Sequence, residues 1–169
     1  QTLLADERDW FMALSEGDLA GLPDFVVNAA REAGREKGQP GPVVTLSRSL
    51  IVPFLQFSPR RDLRERAYRA WTARGMNGGA SDNRALTAEI LELRAERAAL
   101  LGYESFATYK LETEMAGNPQ AVRDLLMAVW EPARAQADSD AARLTRMLHD
   151  DGINDALAPW DWRYYSEKR

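Results

Sequence analysis

The chain has 169 residues, 45% of them hydrophobic and 28% charged, with a net charge of −4 and an isoelectric point near 5.2. That is enough chain to bury a core and too apolar a chain for disorder. The acidic balance argues against nucleic acid or an anionic membrane as partner. The longest apolar runs also fall far short of the ~20 residues that cross a bilayer. There is no cysteine, so neither a disulfide framework nor a thiolate zinc site exists, which fits a reducing, cytoplasmic location.

In chain order, DWFMAL at Asp9–Leu14 reads both ways: its aromatic residues suggest strand, its Met, Ala and Leu suggest helix. Pro23–Lys37 is predicted as a helix with Phe25, Val26, Ala29, Ala30 and Ala33 on its apolar face and Gly38 as its stop. Val43–Leu46, β-branched and set behind a Gly-Pro turn, reads as a short strand, and a lone strand needs a partner for its ladder groups. Ser49–Phe57 is apolar enough to be buried, with Pro53 permitting only a short helix.

Ser58-Pro59 opens a long helix striped by Leu63, Ala67, Ala70 and Trp71 and closed by Gly75. After the glycine-rich GMNGGAS, expected to be a mobile connector, Asp82 or Asn83 caps a helix aligning Leu86, Ile90, Leu93 and Leu101. The short connector predicts an antiparallel hairpin of these two helices with Trp71 inside it. Gly102 can take the left-handed conformation that ends a helix, Ser105 is placed to cap Phe106–Met115, and Asn118-Pro119 starts the next helix. There Val122, Leu125, Leu126, Val129 and Trp130 have the spacing of a buried face. Pro132 predicts a kink or a restart before Ala137, Ala141, Leu144 and Leu148 carry the periodicity to Gly152. Pro159–Lys168 reads as the first turns of a helix.

Few residue groups suggest chemistry. Glu89, Glu92 and Glu96 share a helical face and can in principle hold a hard cation, but a di-metal site needs Glu-x-x-His and no histidine lies near, so surface ion pairing is the better reading. Arg60, Arg61, Arg64, Arg66, Arg69 and Arg74 form a basic row beside Tyr68 and Trp71. Pairing with those glutamates is preferred to ligand binding. His149, the sole histidine, sits in the last turn of its helix, where the helix carbonyls favour a cation, and has neither a nucleophile nor a second metal ligand near it. Gly75–Ser81 resembles a phosphate cradle only superficially, since Asp82 would repel an anion. Trp160, Trp162, Tyr164 and Tyr165 are expected to pack rather than stack on ligands. No catalytic or metal-binding residue is therefore assigned, and no substrate-binding residue is identified.

Several blocks in order carry a family resemblance: DLAGLP at Asp18–Pro23, VTL at Val44–Leu46, RRDLRERAYRAWTARG at Arg60–Gly75, DNRAL at Asp82–Leu86, LRAERAALLGYESFATYKLETEMA at Leu93–Ala116 and PWDWRYYSEK at Pro159–Lys168. The series resembles the thimet oligopeptidase and neurolysin family of zinc peptidases, most closely the bacterial peptidyl-dipeptidases. The resemblance implies a mainly α-helical fold in which Trp10–Leu14 is the strand that pairs with Val43–Leu46. It also implies a parent enzyme that cleaves short peptides in a channel between two helical halves, using a zinc-bound water activated by the glutamate of a His-Glu-x-x-His motif. That motif is absent here, so zinc is expected in the parent and not in this chain.

Residues 1–169 accordingly read as a single helical fragment of a larger peptidase domain, upstream of the metal site, supplying scaffold and part of the channel wall. Gln1 in place of Met and the close at Glu167-Lys168-Arg169 both read as cuts. The fragment is expected to hide its C-terminal aromatics by self-association, by swapping, or by folding that segment back. A free-standing helical interaction module without chemistry is the alternative.

Overall fold

The computed structural model describes residues 2–168, with side chains from residue 5 onward. The chain divides into two compact units, Gln1–Asp82 with Ala141–Arg169 and, between them in sequence, Asn83–Asp140. It is mainly helical with one small antiparallel hairpin.

In the first unit, α1 (Thr2–Asp9) leads into β1 (Phe11–Ala13), a 3-10 turn at Glu16–Leu19, α2 (Asp24–Glu36), β2 (Val43–Thr45), α3 (Arg48–Phe57) and α4 (Arg61–Thr72). The aromatic residues of the ambiguous segment decide for strand: β1 pairs with β2 in the register Phe11↔Thr45, Met12↔Val44, Ala13↔Val43. Met12, Val43 and Val44 are almost wholly buried, with β2 covered on both faces, which gives the two short strands the packing an isolated hairpin lacks. α2 covers β2, and here Gly34 is obligatory: a Cβ on it would lie 2.1 Å from the carbonyl oxygen of Gly41.

The buried face of α2 is Val26, Ala30, Ala33 and Gly34. Phe25 and Ala29 are exposed instead, so the face is rotated from the one predicted, and the Phe25 ring meets Phe57 edge-on at 5.9 Å. Helix α3 buries Leu50, Ile51, Phe54 and Leu55 around Pro53, whose missing donor would have served the carbonyl of exposed Ser49, within reach of water. In α4, Leu63 and Ala67 are buried with Ala70 and Trp71 half-buried, as the stripe predicts, although the extended Arg60 delays the first turn to Arg61.

A second, smaller core gathers Leu144, Leu148 and Tyr165, with Ile153, Leu157, Trp162 and Tyr164 against it. It forms where the end of α7 (Pro119–Asp150) meets α8 (Trp162–Glu167). Of the ways to hide the terminal aromatics, the chain folds the segment back: Tyr165 is 1% exposed and the other three are half-buried.

The second unit holds α5 (Arg84–Leu100), α6 (Phe106–Leu111) and the residues of α7 up to Asp140. The punctuation read from sequence is in place. Gly102 at φ +80° closes α5 while the Tyr103 and Gly102 amides bond the Ala98 and Ala99 carbonyls, 2.9 and 3.0 Å. Ser105 Oγ accepts from the Thr108 amide at 3.1 Å, and Asn118 Oδ1 from the Ala121 amide at 2.9 Å. Helix α6 stops at Leu111 rather than Met115, and α7 runs through Pro132 without a restart.

Burial in this unit departs from expectation. Leu86, Ile90 and Leu93 of α5 and Leu101 just past its end are exposed, as are Leu125, Leu126, Val129 and Trp130 of α7. The side of α5 that packs is the one carrying Ala98, Arg94 and Arg97, the two guanidinium groups lying 5.1 and 5.2 Å from the Phe106 and Tyr109 rings. Periodicity marks an apolar face; it does not supply the element that covers it. Trp71, expected between α4 and α5, packs half-buried within the first unit.

Candidate functional site

The densest polar construction lies in the first unit, where α4 meets the start of α8. Arg64 is 1% exposed and Asp161 is fully buried. Arg64 donates through Nη2 to Asp161 Oδ1 at 2.9 Å, through Nη1 to the Ser58 carbonyl at 2.7 Å and through Nε to the Trp160 carbonyl at 3.2 Å. Its guanidinium lies 4.1 Å from the Tyr164 ring centroid. Arg61, one turn earlier, donates to both Asp161 oxygens at 3.1–3.2 Å and also pairs with Asp155. The Ala158 amide adds a further bond to Asp161 Oδ2 at 3.0 Å. With these acceptors Arg61 holds its proton more tightly than an ordinary arginine, the hydrogen bond to Asp161 contributing most.

This is a structural clamp: each of the three Arg64 guanidinium nitrogens donates to an acceptor inside the protein. The sequence reading placed Arg64 in a basic row, yet its spacing from Ala67 and Trp71 puts it on the buried face, a signal available in the sequence. Asp161 sits inside the most distinctive block, PWDWRYYSEK, but nothing in its spacing reveals its partners.

Three more arginines of the row find their counter-charges elsewhere than predicted. Arg60 pairs with Asp18 and Asp62, Arg69 with Glu65, and Arg74 with Glu7. Glu89, Glu92 and Glu96 stay exposed along α5.

Beside the clamp, α3, α4 and α8 enclose an open groove of about 580 Å³ walled by Tyr68, Trp71, Pro159 and Trp162, with Arg163 and Glu167 toward its rim. Gln56 Nε2 donates to Glu167 Oε2 across it at 3.1 Å. The groove offers aromatic surface and two opposite charges, with Ser166 also in its lining.

His149 is exposed, and its Nε2 donates to the Asp155 carbonyl at 3.3 Å, which fixes the hydrogen on that nitrogen. Tyr165 donates to Asp151 Oδ2 at 3.1 Å, and Lys168 does so at 2.8 Å. Burial first, then the Asp151 carboxylate, pushes the Tyr165 phenol up to about 12. The glycine-rich connector is tied down rather than loose: Asp6 Oδ2 accepts from the Gly75 amide at 2.7 Å and from Asn77 at 3.0 Å, and Asp82 accepts from the Gly78 amide at 3.0 Å. The backbone donors a phosphate would need already face carboxylates. Those bonds, the Gly75 amide foremost, hold the Asp6 carboxyl below the usual range.

Among the described residues, no three His, Cys, Asp or Glu side chains are grouped to hold a metal ion. With one histidine turned to a carbonyl and no thiolate, these residues do not fit a catalytic zinc, which needs three protein ligands. No helix among them is long and apolar enough to cross a membrane.

Fold and site together define a mainly helical chain whose first unit is held by a buried ion-pair clamp, with no metal centre among the described residues. The family model of peptidase family M3 matches residues 54–169, and the chain belongs to that family. It is 39% identical to oligopeptidase A of Salmonella typhimurium (strain LT2) over 91% of this chain and 23% of that protein. To dipeptidyl carboxypeptidase of Escherichia coli (strain K12) it is 29% identical over 99% of this chain and 25% of the relative. To the probable cytosolic oligopeptidase A of Arabidopsis thaliana it is 32% identical over 89% of this chain and 22% of the relative. The chain thus spans about a quarter of the length of the curated relatives it matches.

Proposed function

We propose that this chain is a scaffold segment of a longer, cytoplasmic, zinc-dependent M3 peptidase that hydrolyses short peptides, and that the segment performs no chemistry itself. The observation that carries the reading is a likeness running along nine-tenths of this chain but only a quarter of an oligopeptidase A, in a stretch with no set of metal ligands among its described residues. Both units then belong to one larger peptidase domain upstream of the His-Glu-x-x-His helix. The zinc would be held by that helix and would supply the activated water; no step of the reaction passes through the residues described here. Their work is positional. The Arg61–Arg64–Asp161 clamp fixes α8 on α4, and the aromatic groove of Tyr68, Trp71 and Trp162 is the part of this surface best suited to form channel wall. The name of the Arabidopsis relative supports the cytoplasmic placement.

The test is the reading frame. Genomic sequence beyond the codon for Arg169 should continue in frame to a His-Glu-x-x-His run with a further glutamate downstream. A stop codon in its place would overturn the reading and leave a free-standing interaction module.

A further inference from the structure

The glycine-rich connector after α4 carries the one Asn-Gly pair of the chain, Asn77-Gly78. The other asparagines, Asn28, Asn83, Asn118 and Asn154, precede Ala, Arg, Pro and Asp. An Asn-Gly pair is chemically labile, because the glycine nitrogen can attack the asparagine side-chain carbonyl and no Cβ crowds its approach. Asn77, Gly78 and Gly79 are exposed in the 169-residue chain, and even a Cβ built on Gly78 would meet nothing within 4 Å. The fold ties each reacting group to a carboxylate. Asn77 Nδ2 donates to Asp6 Oδ2 at 3.0 Å, and the Gly78 amide donates to Asp82 Oδ2 at 3.0 Å. The same Asp6 oxygen accepts from the Gly75 amide at 2.7 Å, and Glu7 beside it pairs with Arg74, so α1 is fastened to the connector here. Asp82 stands close enough for its charge to act on the Asp6 carboxyl. Asn77 is the neutral donor set among these acids.

We propose that Asn77 is a site of spontaneous deamidation, restrained while Asp6 holds its side-chain amide, and that the conversion unfastens α1 from the connector. The Gly78 nitrogen bonds to Asn77 Cγ, the bond from Cγ to Nδ2 breaks, and ammonia leaves carrying the Gly78 proton. The product is a cyclic succinimide. Water then opens the ring at one carbonyl or the other, giving aspartate or isoaspartate, with no change of oxidation state and no reactant but water. Either product puts a carboxylate, which only accepts, where a donor faced Asp6. A negative charge at hydrogen-bond distance from Asp6, with Asp82 already acting on it, is repulsive. The change runs one way, so the connector loosens with the age of the chain and not with any ligand.

The experiment holds the whole chain at about pH 8 and 37 °C for days and follows the tryptic peptide Gly75–Arg84 by mass spectrometry. A gain of about 1 Da is expected, placed by fragmentation on Asn77 and not on Asn83, and appearing sooner than at Asn28 or Asn154. N77Q, which keeps a side-chain amide but cyclises far more slowly, should abolish it. D6A should speed the reaction about three- to tenfold, the worth of one hydrogen bond on the amide. An unchanged rate at Asn154 separates the loss of that bond from general unfolding. N77D, made directly, should exchange the Gly75 amide faster than N77Q does. A wild-type chain that reacts no sooner at Asn77 than at Asn154, or a D6A rate equal to the wild type's, overturns the proposal. Gly75 exchange in N77D as slow as in N77Q overturns the unfastening of α1.

Discussion

Asp161→Ala is expected to be the most damaging single substitution in the first unit. It strips both acceptor oxygens from a fully buried position and leaves the Arg64 guanidinium, 1% exposed, with only the Ser58 and Trp160 carbonyls for company. Removing one partner of a buried ion pair costs about 3–5 kcal/mol because the other charge stays out of water. Arg61 is a lesser loss, since it is partly exposed and keeps Asp155. At about 2–4 °C per kcal/mol for a chain of this size, the midpoint of thermal unfolding should fall by roughly 6–20 °C. Four of the five tryptophans, Trp10, Trp71, Trp160 and Trp162, lie in the first unit, so near-ultraviolet circular dichroism reports on the part that matters. The double variant R64M/D161L should recover about 2 kcal/mol relative to Asp161→Ala, because no charge is then buried alone. A single-variant cost under about 1 kcal/mol, or a double variant no better than the single, would refute the view that the pair is dry and mutually dependent.

Two further outcomes follow from the titrating groups. Folding favours the neutral phenol of Tyr165, whose value rises to about 12 from the ordinary 10.0, so its contribution is intact below pH 10 and is lost as the pH climbs toward 12. Unfolding free energies from urea titrations at pH 9 and pH 11.5 should therefore differ by about 2 kcal/mol in the wild type, and by clearly less in Tyr165→Phe. Asp6→Ala should release the connector, and amide exchange at Gly75 and Asn77 should speed up; unchanged exchange at Gly75 would mean the Asp6 carboxylate does not hold it.

The fold was legible wherever a residue type has one local use. Gly102, Ser105 and Asn118-Pro119 mark their helix boundaries by backbone conformation and capping, which neighbours cannot alter. The β-branched run Val43–Leu46 announces a strand that needs a partner, while the pairing with Trp10–Leu14 comes from the family resemblance and not from the residues alone. What tertiary packing decides was not legible. Gly34 gives no local sign that a carbonyl of Gly41 presses on it. The stripe Leu125–Trp130 reads as core because periodicity cannot say whether the covering element is in the same chain. Arg64 reads as one of a basic row paired with the glutamates of the next helix, because its acceptors on Asp161 and the Trp160 carbonyl lie nearly a hundred residues away in sequence.

The central claim is that these residues are peptidase scaffold and not peptidase. It is tested most directly by dialysing the 169-residue chain, measuring its zinc by elemental analysis, and assaying it against a quenched-fluorescent short peptide. One histidine and no cysteine predict zinc far below one equivalent and no hydrolysis above buffer. Stoichiometric zinc, or peptide cleavage that co-purifies with the chain and stops on chelation, would contradict the account.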